Sequence, residues 1–183
     1  YANSMFSTNN NANTFSFDLN SRFSNNLSNQ LLVTYSDLSD VRGSNSAEFP
    51  FIDILDGTGT ITPYISLGYE LFTWKNAVHN KVISAKDDIT FYKGDHKIMG
   101  GIGYDWQLAD NAYMRNGTGY YRYNSMEDFM NQAAPETVAL TYGYDGDQDP
   151  ASRVRFHKLA AYIQDEWNPN EKLKLTAGLR LET

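Results

Sequence analysis

No cysteine occurs in the 183 residues, which excludes a disulfide scaffold, a thiolate nucleophile and any cysteine-based zinc or iron–sulfur site. Positive charge is also scarce. Lys and Arg number 15 against 22 Asp and Glu, a net charge of -7, so the basic face that phosphate neutralisation requires is missing and no nucleic-acid partner is expected. Long apolar runs are lacking as well. No window comes near the ~18 consecutive apolar residues of a spanning helix, and a mean hydropathy of -0.53 excludes a bundle of membrane helices. Nor does the chain open on a methionine, or on a charged region followed by an apolar one, since it starts Tyr1-Ala2-Asn3-Ser4. It stops at Glu182-Thr183 inside an alternating pattern, and the sequence is therefore expected to be a piece of a longer protein.

Aromatic residues, at 14%, are too frequent for a disordered segment. A spanning β-strand needs only ~10 residues, every second one apolar, so a negative hydropathy is compatible with a membrane barrel. The patterning is of that kind. Leu173, Leu175, Ala177, Leu179 and Leu181 alternate without error with Lys174, Thr176, Gly178, Arg180 and Glu182. Before a turn at Asn168-Pro169-Asn170, Leu159, Ala161, Ile163 and Trp167 oppose Lys158, Tyr162, Gln164 and Glu166, completing one hairpin. A second hairpin alternates through Ile83, Ala85, Ile89 and Phe91, turns at Lys93-Gly94-Asp95, and returns through Ile98, Gly100, Ile102, Tyr104 and Trp106. A third carries Phe15, Phe17, Leu19 and Phe23, turns within Ser24 to Asn29, and returns through Leu31, Val33 and Tyr35.

About six strands follow, in hairpins near 13–40, 69–107 and 154–183, with long connections near 41–68 and 108–153. Compact soluble domains seldom carry structureless loops longer than ~12 to 15 residues. In an antiparallel up-and-down sheet this alternation collects the short turns at one end and the long loops at the other, the layout of outer-membrane barrels, with the short turns periplasmic and the long loops extracellular. Phe23, Phe91, Tyr92 and Trp167 flank the short turns, where an interfacial aromatic girdle belongs. Bacterial barrels close with eight strands or more. The expected fold is thus all-β: an arc of antiparallel strands from a large transmembrane β-barrel, in contact with outer-membrane lipid.

The run Ala161-Tyr162-Ile163-Gln164-Asp165-Glu166-Trp167, with Leu173 to Glu182 after the turn, resembles the "YxQDxW…LTLxxGLRxE" barrel hairpin of TonB-dependent outer-membrane receptors. Asp88 to Lys97 is similar to the "T-x-x-K-G-x-H" periplasmic turn of that family, and Gly68-Tyr69-Glu70 resembles the lead-in to the strand before it. These motifs cover about half the chain, in the family's order. The resemblance implies a wide plugged barrel of the 22-stranded class, importing a bulky, scarce solute (a siderophore, glycan or peptide) across the bacterial outer membrane. It implies as partners a plug domain of the same chain and the TonB protein, with a surface lipoprotein as a further candidate. The branch it resembles most is the Bacteroides type, with a carboxypeptidase-regulatory-like domain before the plug. Plug, TonB-contacting box and extra domain are not in this sequence.

Among individual residues, Tyr104, Trp106, Tyr113, Asn116, Tyr120, Tyr121 and Tyr123 form an aromatic and amide-rich set at a strand top and in the longest loop. Rings offering area at low entropy cost, with an amide that both donates and accepts, suit a sugar, peptide or chelate. The plainer account is an upper girdle and a loop packed on itself. Gln164, Glu166, Lys174, Arg180 and Glu182 would face the lumen, pairing with one another or meeting the plug. Asp87 and Asp165 fall on the lipid side, where nearness to a turn would place them at the interface. Phe49 to Leu55 reads as a short extra strand, or else as a lipoprotein contact. Asp145-Gly146-Asp147-Gln148-Asp149 begins like an EF-hand loop, but Pro150 stands where glycine is needed and Phe156 where glutamate is needed, which leaves a solvated acidic turn or a looser calcium site. His79, His96 and His157 show no metal-ligand spacing, no nucleophile elbow flanks a serine, and neither cofactor nor catalysis is expected. A soluble extracellular β-sandwich that binds glycan shares every period-2 pattern and is the alternative. An outer-membrane enzyme would need convergent titratable groups that the sequence does not display.

Overall fold

The computed structural model describes residues 5–183, so the opening Tyr1-Ala2-Asn3-Ser4 lies outside the described residues. Among the described residues ten strands, one short α-helix and one 3-10 turn follow in order: β1 (Ser7–Arg22), β2 (Leu27–Gly43), β3 (Phe51–Ile54), β4 (Ile65–Leu67), β5 (Ala77–Lys93), β6 (His96–Ala112), β7 (Tyr120–Tyr123), α1 (Met126–Met130), β8 (Thr137–Ala139), the 3-10 turn (Tyr144–Gly146), β9 (Ala151–Asn170) and β10 (Leu173–Glu182). The six long ones make a single sheet in the order β1-β2-β5-β6-β9-β10. The pairing is antiparallel. Thr14 bonds Ser36 while Ser16 bonds Thr34, Tyr92 N donates to Asn26 O while Arg42 N donates to Asn76 O, and β9 meets β10 with Ile163 opposite Leu179 and Ala161 opposite Leu181.

The chain gathers into two compact units. One holds Ala12–Leu38, Asn80–Ala109 and Val154–Thr183, the larger part of the long sheet with all three short turns. The turns lie side by side: Asn26 O accepts from Tyr92 N and Asp95 O from Asn168 N. Gly94 takes φ +57 at the first of two loop positions, where a tight hairpin favours glycine. One face of this unit is apolar and open, with Phe15 70% and Leu181 68% exposed and Phe17, Ile102, Leu159, Ile163 and Leu179 also exposed. A contiguous apolar face of this kind is foreign to soluble monomers and fits lipid.

The other unit holds the segment ending at Asn11 with Ser39–His79 and Asp110–Arg153. It contains a second sheet, in the order β4-β3-β7-β8. β3 runs antiparallel to β4 and parallel to β7, an unusual arrangement reached because the two strands come from different connections. Phe51, Ile54 and Leu55 are buried here with Tyr69, Thr73 and Met114, so the Phe49 to Leu55 run is indeed a paired strand. Glu70 Oε2 accepts from Phe72 N at 3.1 Å and Thr73 Oγ1 at 2.5 Å and lies 3.5 Å from Arg42, tying the turn that precedes β5.

Several sequence expectations are corrected. The long connections are folded rather than plain loops, because hydrophobic runs within them pair with each other. The strand after Gly68-Tyr69-Glu70 begins only at Ala77, since Glu70 caps a turn first. β1 starts at Ser7, ahead of its apolar alternation, as Asn and Ser side chains do not prevent ladder pairing. The last hairpin turns at Glu171-Lys172 rather than at Asn168-Pro169-Asn170, which ends β9 beside a register shift at Leu173/Leu175. Asp87 stands well inside β5 rather than next to its turn, and is accommodated by Asn29 Nδ2, which donates to its Oδ1 at 2.6 Å.

Candidate functional site

The aromatic set divides between the two units. Tyr104 and Trp106 belong to β6, with Tyr104 on the apolar face, lining with Leu31, Ile102 and Leu159 a groove of about 470 Å³. Its hydroxyl lies 2.8 Å from His157 Nδ1.

Tyr113, Asn116, Tyr120, Tyr121 and Tyr123 lie in the unit with the small sheet. Parallel register sets Phe51 beside Tyr120, with ring centroids 6.3 Å apart, and Asp53 beside Arg122. Asp53 accepts from the Tyr120 hydroxyl at 2.9 Å and from Ser66 Oγ at 2.5 Å. Arg122 continues the polar row by donating to Glu136 at 2.8 Å and Thr137 at 3.0 Å. Burial, then the hydrogen bond to Asp53, pushes the Tyr120 phenol up to about 12. A raised phenol stabilises the fold fully below the unfolded value of about 10 and loses that contribution as pH climbs through its folded value. The expected result is one tyrosine that ionises after the others in ultraviolet titration and disappears from the late phase in Tyr120→Phe. An unaltered titration would place the phenol in water.

Tyr121 and Tyr123 point to the opposite side by strand alternation, Tyr123 edge-on to Phe129 at 5.3 Å. Asn116 holds a left-handed φ of +59, and its backbone ties Leu71, Gly119 and Thr141 together. Its Oδ1 is buried without a hydrogen-bond partner. Tyr113 is exposed. More exposed still are Tyr64, Tyr142 and Tyr144, the last at 94%, all in irregular segments where no strand period marks a face. Ile61 is open too, and lines a concavity of about 270 Å³ with Gly57, Gly59, Asn124 and Glu136.

The polar face of β5, β6, β9 and β10 carries a ladder of neutralised charges. Lys86 Nζ lies 2.6 Å from Asp88, whose other oxygen accepts from Tyr162 OH at 2.7 Å. Gly101 makes room for this crossing, as a Cβ there would stand 2.5 Å from the Tyr162 ring. Arg180 lies opposite Tyr162 and pairs with Glu182, which also meets Lys158 at 3.3 Å. Lys174 and Glu166 pair at 2.8 Å, and Gln164 faces Gly178. All five residues expected on one face share it.

Acidic side chains of the 145–149 run serve the backbone. Asp147 accepts from Asp149 N and Asp149 from Ala151 N. That backbone bond, followed by the Arg153 guanidinium, holds the Asp149 carboxyl below its usual range. Among the described residues no group of three or more His, Asp or Glu side chains is placed to hold a metal ion.

Comparison with known proteins fits this architecture. No curated protein matches the chain. Among solved structures it is similar to the crystal structure of the outer membrane transporter YddB from Escherichia coli, at TM-score 0.64 and 13% identity, over 97% of this chain and 22% of that one. The chain therefore spans about a fifth of that transporter, and at such identity the likeness speaks for the fold. A family model described as an outer membrane beta barrel domain matches residues 2–183. A six-stranded sheet with one apolar open face, a fold shared with an outer membrane transporter, and a family match over nearly every residue agree: this chain belongs to the outer membrane beta barrel domain family, and its place is the bacterial outer membrane.

Proposed function

We propose that this segment is part of the wall of a TonB-dependent receptor of the Bacteroides type, importing a bulky solute across the outer membrane. The observation that carries this reading is the six-stranded antiparallel meander with folded insertions, which superposes on about a fifth of a much larger outer-membrane transporter. The hairpin and turn motifs quoted above support the same family. In this reading the ladder of Lys86, Asp88, Tyr162, Glu166, Lys174, Arg180 and Glu182 faces the lumen and the plug, while the unit around β3 and β7 belongs to the extracellular side and contacts solute. The chain supplies binding and passage rather than catalysis. TonB engages the complete receptor through parts outside this segment, and a surface lipoprotein is a further partner.

Tests address transport and loop contact separately. A strain deleted for the receptor gene should lose growth on one limiting glycan, peptide or iron chelate and regain it on complementation; normal growth on all of them would sink the transport reading. Once that solute is known, Tyr121→Ala and Tyr123→Ala, on the β7 face away from Asp53, should together weaken its binding to the intact receptor by about tenfold or more. Unchanged affinity with intact folding would remove these side chains from the solute path.

A further inference from the structure

We infer that the outer edge of β8 binds an extended, cationic peptide, which adds to the small sheet as a fifth strand. β8 ends the order β4-β3-β7-β8 and has β7 on one side only, so among the described residues its other edge offers unpaired backbone groups. A row of apolar side chains crosses the sheet to that edge, with Leu67 beside Ile52, Ile52 beside Tyr121 and Tyr121 beside Val138. There it stops in the open. Val138, Leu140, Tyr142 and Tyr144 are 57% to 94% exposed at a two-residue spacing, while Thr137, Ala139 and Gly143 between them are half-buried. Thr141 N donates to Asn116 O, which holds the stripe beyond β8 against the unit. No Lys, Arg or Pro interrupts residues 136–148, so the edge lacks the side chains that usually blunt one. β4, at the other end of the sheet, carries no such stripe, since Ile65, Ser66 and Leu67 are all half-buried.

The chemistry of the edge selects its occupant. An extended peptide meets it with main-chain hydrogen bonds and lays every second side chain along Val138 and Leu140. A glycan would stack on Tyr142 and Tyr144 but gain little from the two aliphatic side chains. Charge then fixes the sign. The unit with the small sheet carries 12 Asp and Glu against 5 Lys and Arg, whereas the unit with the three short turns carries 10 against 10. The whole net charge of -7 therefore lies in the unit that holds this edge. Glu136 directly precedes β8, and the exposed Asp145 and Asp147 follow the stripe. Such a field raises the local concentration of a cationic peptide and repels an anionic chelate. The inference deepens the import reading by naming a class of solute, and it rests on that reading for the fate of the peptide, while binding at the edge is measured separately.

The test uses the full-length receptor in nanodiscs and three fluorescent peptides of about ten residues. One alternates Lys with Val, one alternates Glu with Val, and one is the Lys–Val peptide with every backbone nitrogen methylated. At low salt the Lys–Val peptide should bind about tenfold or more tightly than the Glu–Val peptide, and added salt should shrink the difference. Methylation should weaken binding by about tenfold or more, because it removes the donors that strand addition needs. Leu140→Ser with Tyr142→Ser, both at exposed positions, should do the same. Leu140→Cys should react with a water-soluble maleimide and be protected by the Lys–Val peptide. Equal binding of the Lys–Val and Glu–Val peptides, or undiminished binding after methylation or in the double variant, would overturn the proposal. So would a Leu140→Cys closed to maleimide without peptide, which would assign the edge to a neighbouring loop of the receptor. Import is scored apart, as growth on the Lys–Val peptide as limiting nutrient. Peptide binding without growth keeps the edge site and counts against import of this class, whereas growth on another solute with no peptide binding keeps the import reading and overturns the edge site.

Discussion

Produced alone and refolded into detergent or vesicles, the 183-residue chain is expected to give no heat-modifiable, protease-resistant barrel. β1 and β10 each have a neighbour on one side only. Their free edges present a row of backbone N–H and C=O groups, each costing several kcal/mol in hydrocarbon. A few such groups outweigh the ~5–15 kcal/mol by which folded domains are usually stable. The same edges invite intermolecular pairing, so aggregation is the expected fate in plain buffer. Cold and boiled samples should migrate identically in gel electrophoresis. A heat-modifiable monomer band from this segment alone would contradict the account and require that the edges find another partner.

The second large effect is expected from Gly68→Ala in the complete protein. Gly68 follows β4 directly and holds φ +110, a conformation costly for any residue with a Cβ. Space is as restrictive as torsion. An added Cβ would stand 2.2 Å from the Pro50 carbonyl oxygen and 2.7 Å from Phe51 Cα, both backbone atoms that cannot rotate away. Relief would pull β4 from β3, where Leu67 faces Ile52, and would uncover Ile54, which is 1% exposed. The combined cost is about 3 kcal/mol or more, confined to the unit with the small sheet. Limited proteolysis within residues 44–76 and 113–150 should accelerate strongly while heat-modifiability of the barrel persists. Gly59→Ala is the control, with a positive φ but open space around its Cβ position, and it should show the torsional part alone. Equal protease resistance in wild type and Gly68→Ala would refute the packing argument.

Much of the wall was legible in the sequence because strand alternation is a local code. Leu173 to Glu182 declares its two faces residue by residue, and the partners of its charges follow from the same period once a hairpin is recognised. Lys174 therefore meets Glu166, and Arg180 lies opposite Tyr162, without any long-range information. Boundaries were less legible. Asn and Ser carry no apolar signal, so the first residues of β1 were silent, and Glu70 gave no notice that it would cap a turn ahead of β5.

The second sheet could not be read in this way. Phe51–Ile54 and Tyr120–Tyr123 are four residues each, and their parallel pairing joins segments far apart in the chain. No local period specifies a partner at that distance; it is selected by burial of Phe51, Ile54 and Leu55 and by Asp53 gathering Ser66 and Tyr120. The same holds for His96, which meets Asp165 and Trp167 only because neighbouring turns align at one end of the sheet. The sequence by itself determined the alternating faces, the hairpins and the outer-membrane fold class, since these depend on a two-residue repeat. Only the tertiary structure decided which side chains converge, because convergence depends on register between strands that the repeat leaves unspecified.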